Sequence, residues 1–264
     1  MKTTASVFIL AALVLFISNC AFYLIARMLD YARDRIYYGK VREEANAADY
    51  YALNSEAVTI DWEAFRGTDI VAWIVLDDRI NYPVMQTKNN VFYLHHRPDK
   101  AYSTGGSIFL QAENDPRFRD RNSILYGHHM FDGSMFDHLM DYKDESYKDH
   151  HLVLFLPDGT RRTYRLFSAC SVDWSPAYYQ YDFADQEDFM DYQKLLKKNA
   201  LYETDAVPSA GSRLVTLSTC DGARGTRHRM LLTFQYEGKS KNQDAASWYA
   251  KNQDAASWYA MPDG

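Results

Sequence analysis

Eight short apolar runs, each bounded by turn-forming residues, constrain the fold more than any other feature of this chain. They lie at residues 71–76, 82–86, 107–111, 123–128, 151–156, 163–172, 213–220 and 229–236. The runs are rich in Val, Ile, Leu, Phe and Tyr, and turn signals such as Asp158-Gly159 and Asp221-Gly222 separate them. Eight strands in one domain predict a closed β-barrel, because closure removes exposed strand edges. The predicted fold class is therefore mostly β, with helices outside the strands.

Four further segments have the composition or spacing of helices. Residues 27–51 are rich in Ala, Arg and Glu and contain no Pro, which is typical of one helix or two. Short helices are expected at 61–65, capped by Asp61, and at 134–142. Residues 186–201 place apolar side chains at helical intervals, which predicts a helix packed on the core between the sixth and seventh strands. Its packing face would consist of Phe189, Tyr192, Leu195, Leu196 and Ala200.

Residues 6–26 form an apolar segment without a charged side chain, long enough to cross a bilayer as a helix. A cleaved signal peptide is the alternative, but the run is longer than a typical signal core and no clean cleavage site follows it. Lys2 precedes the segment, and five basic residues follow it between Arg27 and Arg42. Taken alone, this charge distribution places the rest of the chain in the cytoplasm.

Composition and cysteine usage exclude several classes of function. The net charge is −6 with no basic block, so nucleic-acid binding is not expected. The three cysteines, Cys20, Cys170 and Cys220, have no spacing typical of a zinc site. Adjacent histidine pairs diverge on strands and helices alike, so no metal site is expected either. A disulfide between Cys170 and Cys220 remains an alternative to a reactive thiol.

Three strand ends carry side chains suited to acyl transfer. One predicted strand leads into Gly127-His128, another ends at Cys220, and a third begins at Arg229, nine residues after the cysteine. A thiol nucleophile needs a group such as imidazole that takes and returns protons. Acyl transfer also builds negative charge on the former carbonyl oxygen, and a permanently charged guanidinium can stabilise that oxygen.

The sequence motifs around these residues resemble those of the sortases. TLSTC, followed by Arg and an apolar strand, and the upstream YGH are similar to that family. The segments SIFLQAEN, SILYGHHMFDGSMF and DIVAWIVLDDRINYPVMQ resemble class B sortases in particular, as does the position of the 186–201 helix. The resemblance covers about residues 60–237. It implies a closed eight-stranded sortase barrel with N-terminal helices.

The resemblance also implies a mechanism, its partners and a location. Cys220 would attack the carbonyl of a Thr in a C-terminal sorting signal and form a thioacyl enzyme. His128 would protonate the departing amine, and Arg229 would bind substrate and stabilise the oxyanion. The partners would be secreted proteins with a sorting motif and an amine of a peptidoglycan precursor or a pilin. No cofactor is implied, and the domain would face the outside of the cell membrane, against the charge distribution above.

Neighbouring residues of the same type offer alternatives for the catalytic histidine and arginine. We prefer His128 to His129, because the family's histidine follows Gly directly and alternation along a strand points His129 away. We prefer Arg229 to Arg227 and Arg224, because the apolar strand begins immediately after it. The resemblance further suggests four substrate-binding residues, which are Asn90, Leu94, Ser218 and Tyr179. A helix cap is the alternative role for Asn90, and core packing is the alternative role for Leu94.

These interpretations divide the chain into five parts. Residues 1–5 are a cytoplasmic N-terminus, 6–26 an anchor, 27–59 a helical stalk, 60–238 the catalytic domain and 239–264 a tail. The tail contains KNQDAASWYA twice, and no function is assigned to it. Two alternatives remain: a non-catalytic, membrane-tethered β-domain that binds a surface partner, or another cysteine peptidase of the cell wall. Papain-like enzymes have Cys before His, and the Ser-His-Gly-x-Cys pattern of L,D-transpeptidases is absent.

Overall fold

The eight predicted strands are all present. The structure, a computed structural model, describes residues 2–47, 59–77, 79–222 and 226–241. The strands are β1 (Ile70–Leu76), β2 (Ile80–Met85), β3 (Ile108–Leu110), β4 (Asn122–Tyr126), β5 (His151–Phe155), β6 (Thr160–Asp173), β7 (Leu214–Cys220) and β8 (His228–Lys241). β6 and β8 extend beyond their predicted runs because they pair with each other along almost their whole length.

The strands close into a single barrel in the order β1-β2-β3-β4-β7-β8-β6-β5, which confirms the predicted fold. Most neighbours are antiparallel, but β2 pairs with β3 and β4 with β7 in parallel. The interior is filled by large apolar side chains such as Leu125, Leu217 and Phe234, all fully buried. Burying such side chains stabilises the fold by about 1.5–3 kcal/mol each.

The N-terminal helix, α1 (Lys2–Glu44), is unbroken from the predicted anchor into the predicted stalk. Among the described residues it is the one helix long and apolar enough to cross a membrane, judged by length and composition. Its C-terminal part lies against the barrel, because Tyr38 and Val41 are apolar and buried. The Tyr38 hydroxyl donates to the carbonyl oxygen of Gly106 at 2.7 Å. The predicted stalk is thus docked on the barrel, and residues 48–58 lie outside the described residues.

The second long helix, α2 (Gln186–Lys198), connects β6 to β7 as predicted. Asp185 caps its first turn by accepting a hydrogen bond from the Asp188 amide. Phe189, Tyr192 and Leu196 pack against β6 and β7, which confirms the predicted packing face. Leu195 and Ala200, at the edges of that face, are only half-buried.

Short 3₁₀ helices occupy the loops between the strands. They lie at Trp62–Phe65, Phe92–Leu94, Asp137–Lys143, Glu145–Tyr147 and Pro176–Tyr178. The first is capped by the Asp61 side chain, as expected from the sequence. The duplicated tail, from residue 242 onwards, lies outside the described residues.

A buried charged cluster closes one end of β1. The Asp77 carboxylate receives hydrogen bonds from His138 Nε2 at 2.8 Å, the Tyr142 hydroxyl at 2.6 Å and His150 Nδ1 at 2.6 Å. His138 Nδ1 lies 2.7 Å from Asp141 Oδ2, so both ring nitrogens face carboxylates. Burial alone would lower the pKa of His138, but the hydrogen bonds to Asp77 and Asp141 outweigh it and raise that pKa. Burial alone would raise the pKa of Asp77, but its hydrogen-bond donors lower it.

These shifts make stability depend on pH in a defined direction. Because the pKa of His138 is raised on folding, its contribution is complete below about pH 6.5 and is lost as pH rises through the folded value. We expect His138→Gln to lower the free energy of unfolding by about 1.5–3 kcal/mol at pH 6, the size of a hydrogen bond to a charged group. The loss should shrink at pH 9. Urea unfolding in detergent micelles at both pH values measures it.

The matched control is His151→Gln, because the His151 side chain is 42% exposed and pairs with Glu237 on the surface. It should change stability little at either pH. A loss in His138→Gln that is equal at pH 6 and pH 9 would contradict a charged His138.

At the acid end, the lowered pKa of Asp77 means that its contribution to stability is present above about pH 3.8 and disappears as pH falls through the folded value.

Candidate active site

Parallel pairing of β4 and β7 brings the predicted histidine and cysteine to the same end of the barrel. The last paired residues are Tyr126 and Ser218. The ladder continues with a hydrogen bond from the Gly127 amide to the Ser218 carbonyl oxygen at 3.3 Å. Because the strands run in the same direction, two further residues along each lead to His128 and Cys220. The two residues are therefore neighbours across the strand pair.

Antiparallel pairing of β7 and β8 brings in the arginine. Cys220 is the last residue of β7 and lies directly opposite Arg229. Arg229 Nη1 donates to the carbonyl oxygens of Thr226 at 2.6 Å and His228 at 2.9 Å, which fixes the guanidinium at the strand end. Arg227, the alternative from the sequence, instead lies over the Trp174 ring at 5.8 Å. Arg224 lies outside the described residues.

One groove of about 400 Å³ collects all seven predicted site residues. Its lining consists of Asn90, Leu94, Phe109, Tyr126, Gly127, His128, Trp174, Tyr179, Ser218, Thr219, Cys220 and Arg229. The floor is formed by β4, β7 and β8, and the walls come from the loops after β2 and β6. Aromatic and polar side chains line the groove together, as is common in ligand-binding clefts.

The two cysteines outside the apolar segment have different environments. Cys220 is half-buried at the groove, whereas Cys170 is fully buried in β6 and its Sγ lies 3.4 Å from the Leu196 carbonyl oxygen. Burial raises the pKa of the Cys170 thiol to about 11, which makes it a poor nucleophile. Both thiols are free. The disulfide between them that the sequence left open is absent from the structure.

His128 is oriented by the loop that follows β2. Its Nε2 lies 2.8 Å from the carbonyl oxygen of Leu94. Gly106 makes this arrangement possible, because its φ is +57° and a Cβ there would overlap the carbonyl oxygens of Leu94 and Tyr93. Both features favour glycine at this position. The same loop therefore supplies a groove residue and orients the imidazole.

We expect Gly106→Ala to lower both stability and activity. The left-handed backbone and the overlap with two carbonyl oxygens should reduce the free energy of unfolding by about 2–3 kcal/mol. Displacement of the Leu94 carbonyl should also reduce kcat in the fraction that remains folded. Gly39→Ala is the control, because Gly39 lies in α1 with nothing within 4 Å of its added Cβ. There the same substitution should stabilise the helix by up to about 1 kcal/mol. A Gly106→Ala variant with unchanged stability and unchanged kcat would contradict this role.

The four predicted substrate-binding residues occupy two sides of the groove. The Tyr179 hydroxyl and Ser218 Oγ lie 2.9 Å apart, and burial is the main reason that the pKa of Tyr179 is raised. Asn90 Oδ1 accepts a hydrogen bond from the Ala112 amide at 2.7 Å. Its neighbour Asn89, not Asn90, accepts hydrogen bonds from the Val91 and Phe92 amides at the start of the 3₁₀ helix Phe92–Leu94, so the capping alternative does not explain Asn90.

Two residues that the sequence left unassigned support the backbone at the cysteine. His129 points away from the groove, as alternation predicts, and its Nδ1 lies 3.2 Å from the Cys220 carbonyl oxygen. Its Nε2 lies 2.9 Å from Asp137 Oδ1. Asp221 accepts hydrogen bonds from Ser171 Oγ at 2.5 Å and Lys143 Nζ at 2.7 Å. These long-range contacts have no local sequence signal, so only the fold reveals them.

The polar residues of the groove do not form a metal site. Within the described ranges, no group of three or more His, Cys, Asp or Glu side chains could hold an ion. The groove presents a thiol, an imidazole and a guanidinium.

Comparison with known proteins gives the family. A family model described as "Sortase domain" matches residues 76–235. Sortase B of Listeria monocytogenes is 36% identical over 155 residues, which is 58% of this chain and 63% of that protein. Sortase B of Staphylococcus aureus is 34% identical over 157 residues, or 59% and 64%. The matches thus span less than two thirds of either relative.

Solved structures agree with this assignment. The Staphylococcus aureus sortase B-substrate complex has a TM-score of 0.69 and 28% sequence identity, covering 79% of this chain and 98% of that one. Sortase B from Listeria monocytogenes has a TM-score of 0.57 and 32% identity, covering 64% and 94%. The chain belongs to the sortase family, and its similarity is to class B members.

Proposed function

We propose that this chain is a class B sortase transpeptidase. It cleaves a C-terminal sorting signal after Thr and joins the released protein to an amine of the cell wall or of a pilin. The observation that carries the proposal is the convergence of Cys220, His128 and Arg229 at one end of one groove. The free, half-buried thiol at this position contrasts with the inert Cys170. A domain that only binds a partner has no need for this arrangement.

The first half of the reaction forms the thioacyl enzyme. The Cys220 thiol transfers its proton to His128, and Sγ forms a bond to the Thr carbonyl carbon. The carbonyl oxygen becomes an oxyanion, which Arg229 stabilises by hydrogen bonding and charge. When the oxyanion collapses, the C–N bond breaks and His128 gives the proton to the leaving amine.

The second half transfers the acyl group. An acceptor amine attacks the thioester carbon and loses a proton to His128, and Arg229 again stabilises the oxyanion. The C–S bond then breaks, and Cys220 recovers its proton from His128. The new amide joins the cleaved protein to the acceptor. No redox cofactor is needed, because the reaction exchanges one acyl bond for another.

The walls of the groove recognise the sorting signal. Asn90 and Leu94 contact it from the loop after β2, and Ser218 and Tyr179 from the opposite side. The paired hydroxyls of Ser218 and Tyr179 offer donors and acceptors to the backbone of an extended peptide. The aromatic faces of Tyr126 and Trp174 supply apolar contact.

The proposal is tested with the full chain in detergent micelles. The protein is incubated with a mixed library of NPxTx- and LPxTG-type peptides and a short amine acceptor, and the products are identified by mass spectrometry. Cleavage after Thr and a ligated product support the proposal and identify the motif. A folded protein with a free thiol that cleaves none of these peptides would favour the binding module instead.

We further propose that α1 anchors the protein and that the barrel lies outside the cell. The basic residues after the apolar segment favour the opposite orientation, but long domains can be translocated regardless of such charges. Cys220 is the one thiol suited to a test, because Cys170 is buried and Cys20 lies within the apolar segment. A membrane-impermeant thiol reagent should label Cys220 in intact cells. Labelling only after lysis would place the barrel inside.

A further inference from the structure

Two of the most exposed aromatic side chains lie in loops beside α1. Phe131, in the loop after β4, is 94% exposed, and Tyr102, in the loop after β2, is 71% exposed. Single exposed apolar residues are common and need no explanation. These two differ because their loops both face the part of α1 that follows its apolar segment.

The loop of Tyr102 is attached to α1 at the first residue after the apolar segment. Arg27 Nη1 donates to Thr104 Oγ1 at 2.6 Å, and Ser103 Oγ donates to Asp34 Oδ2 at 2.5 Å. A helix rises 1.5 Å per residue, so the first turn after Ala26 spans about 5 Å. The headgroup layer on each side of a bilayer is about 5–7 Å thick. If α1 crosses the membrane, the Thr104 contact at Arg27 therefore lies at the depth of the lipid headgroups, and the Ser103 contact at Asp34 lies about 12 Å beyond Ala26.

The loop of Phe131 faces the same helix. A cavity of about 410 Å³ lies between them, lined on α1 by residues from Met28 to Arg42 and on the loop by Asp132 and Gly133. Phe131 immediately precedes Asp132 in the turn closed by a hydrogen bond from the Gly133 amide to the Met130 carbonyl oxygen. Phe131 thus projects into solvent from a loop that faces α1.

We propose that Tyr102 and Phe131 insert into the lipid headgroup layer, so that the barrel rests on the membrane surface at three points: α1 and these two side chains. The proposal rests on the anchoring role of α1 proposed above. Tyr favours the membrane–water interface, because its ring is apolar and its hydroxyl can stay in water. Phe contributes apolar area that is buried at the boundary between headgroups and acyl chains. Exposed Arg33 and Arg35 on α1 add attraction to anionic lipids.

This contact fixes where the groove lies relative to the bilayer. The Tyr102 ring stacks on His95 at 6.3 Å between centroids, and His95 stacks on His128 at 5.8 Å. The His95 ring thus lies between Tyr102 of the lipid-contacting loop and His128 of the groove. Without the two aromatic contacts the barrel would be held by α1 alone, and the groove would adopt a broader range of orientations above the membrane.

The test uses the full chain in nanodiscs of phosphatidylethanolamine and phosphatidylglycerol. Cys20→Ala and Cys220→Ala remove the accessible thiols, and Cys170 is buried. A nitroxide label is then placed by Tyr102→Cys or Phe131→Cys, and its accessibility to oxygen and to a water-soluble nickel complex is measured. Val207→Cys is the control, because Val207 is 68% exposed and lines a cavity beside α2 rather than α1. Leu15→Cys reports on the span itself.

The expected result is a several-fold higher ratio of oxygen to nickel accessibility at 102 and 131 than at 207. Equal ratios at 102, 131 and 207, together with a membrane-like ratio at 15, would overturn the lipid contact and leave the anchor and the transpeptidase proposal intact. A solvent-like ratio at 15 would overturn the anchor as well as the contact.

Discussion

Cys220→Ala is expected to abolish peptide cleavage and ligation, with a fall of about 10⁴-fold or more in kcat/KM. Cys220 carries the strongest nucleophile that the groove can supply, because the remaining side chains are an imidazole, a guanidinium, hydroxyls, an amide and apolar groups. The substitution removes one half-buried sulfur, so stability should change by less than about 1 kcal/mol. Cleavage of a fluorescence-quenched peptide measures the loss.

Cys170→Ala is the matched control for that prediction. Cys170 is fully buried in β6 behind α2, and burial raises the pKa of its thiol. Its removal should cost about 1–2 kcal/mol of stability through a small cavity, while kcat/KM stays within about twofold of the wild type. Activity that survives in Cys220→Ala but is lost in Cys170→Ala would contradict the proposed nucleophile.

Arg229→Gln is expected to reduce kcat by about 10²–10³-fold, the usual cost of losing one donor to an oxyanion. Glutamine keeps polar atoms near the groove but removes the charge and shortens the reach of the side chain. If Arg229 acts on the oxyanion, the loss is in kcat, because that charge exists only in the transition state. If it mainly binds the peptide, KM rises and kcat changes little. Steady-state kinetics with the cleaved peptide separate the two roles.

Arg227→Gln serves as the matched control for Arg229→Gln. Arg227 comes just before the same strand, two residues before Arg229, and lies over Trp174 at the edge of the groove. Losing that contact should raise KM by less than about tenfold, since an exposed cation–π pair contributes about 0.5–1 kcal/mol. A larger loss in Arg227→Gln than in Arg229→Gln would assign the oxyanion role to Arg227, the alternative that the sequence left open.

The barrel and its strand ends were predictable from the sequence because their signals are local. Runs of apolar residues between turn residues marked all eight strands, and helical spacing marked α2. The choice of His128 over His129 came from the resemblance, in which the family's histidine follows Gly directly, and from local geometry, since alternating side chains of an extended segment point to opposite sides. β4 pairs with β7 up to Gly127, so this alternation is maintained up to the histidine.

The contacts that position the site were not predictable, because they join residues far apart in sequence. The Leu94 carbonyl reaches His128 only because Gly106 allows two loops to approach closely. His129 reaches the Cys220 carbonyl across a parallel strand pair whose register no local pattern specifies. The docking of α1 was missed for a similar reason. Tyr38 in a charged helix has no sequence signal for its hydrogen bond to Gly106.

The most direct test of the account is the intact mass of the protein after incubation with a sorting peptide in the absence of any acceptor amine. The expected result is a mass increase equal to the acyl fragment ending in Thr. Peptide mapping should locate it on Cys220, and addition of an amine should release it. An unmodified Cys220 in a sample that nonetheless cleaves the peptide, or an adduct on any other residue, would contradict the proposed thioacyl mechanism.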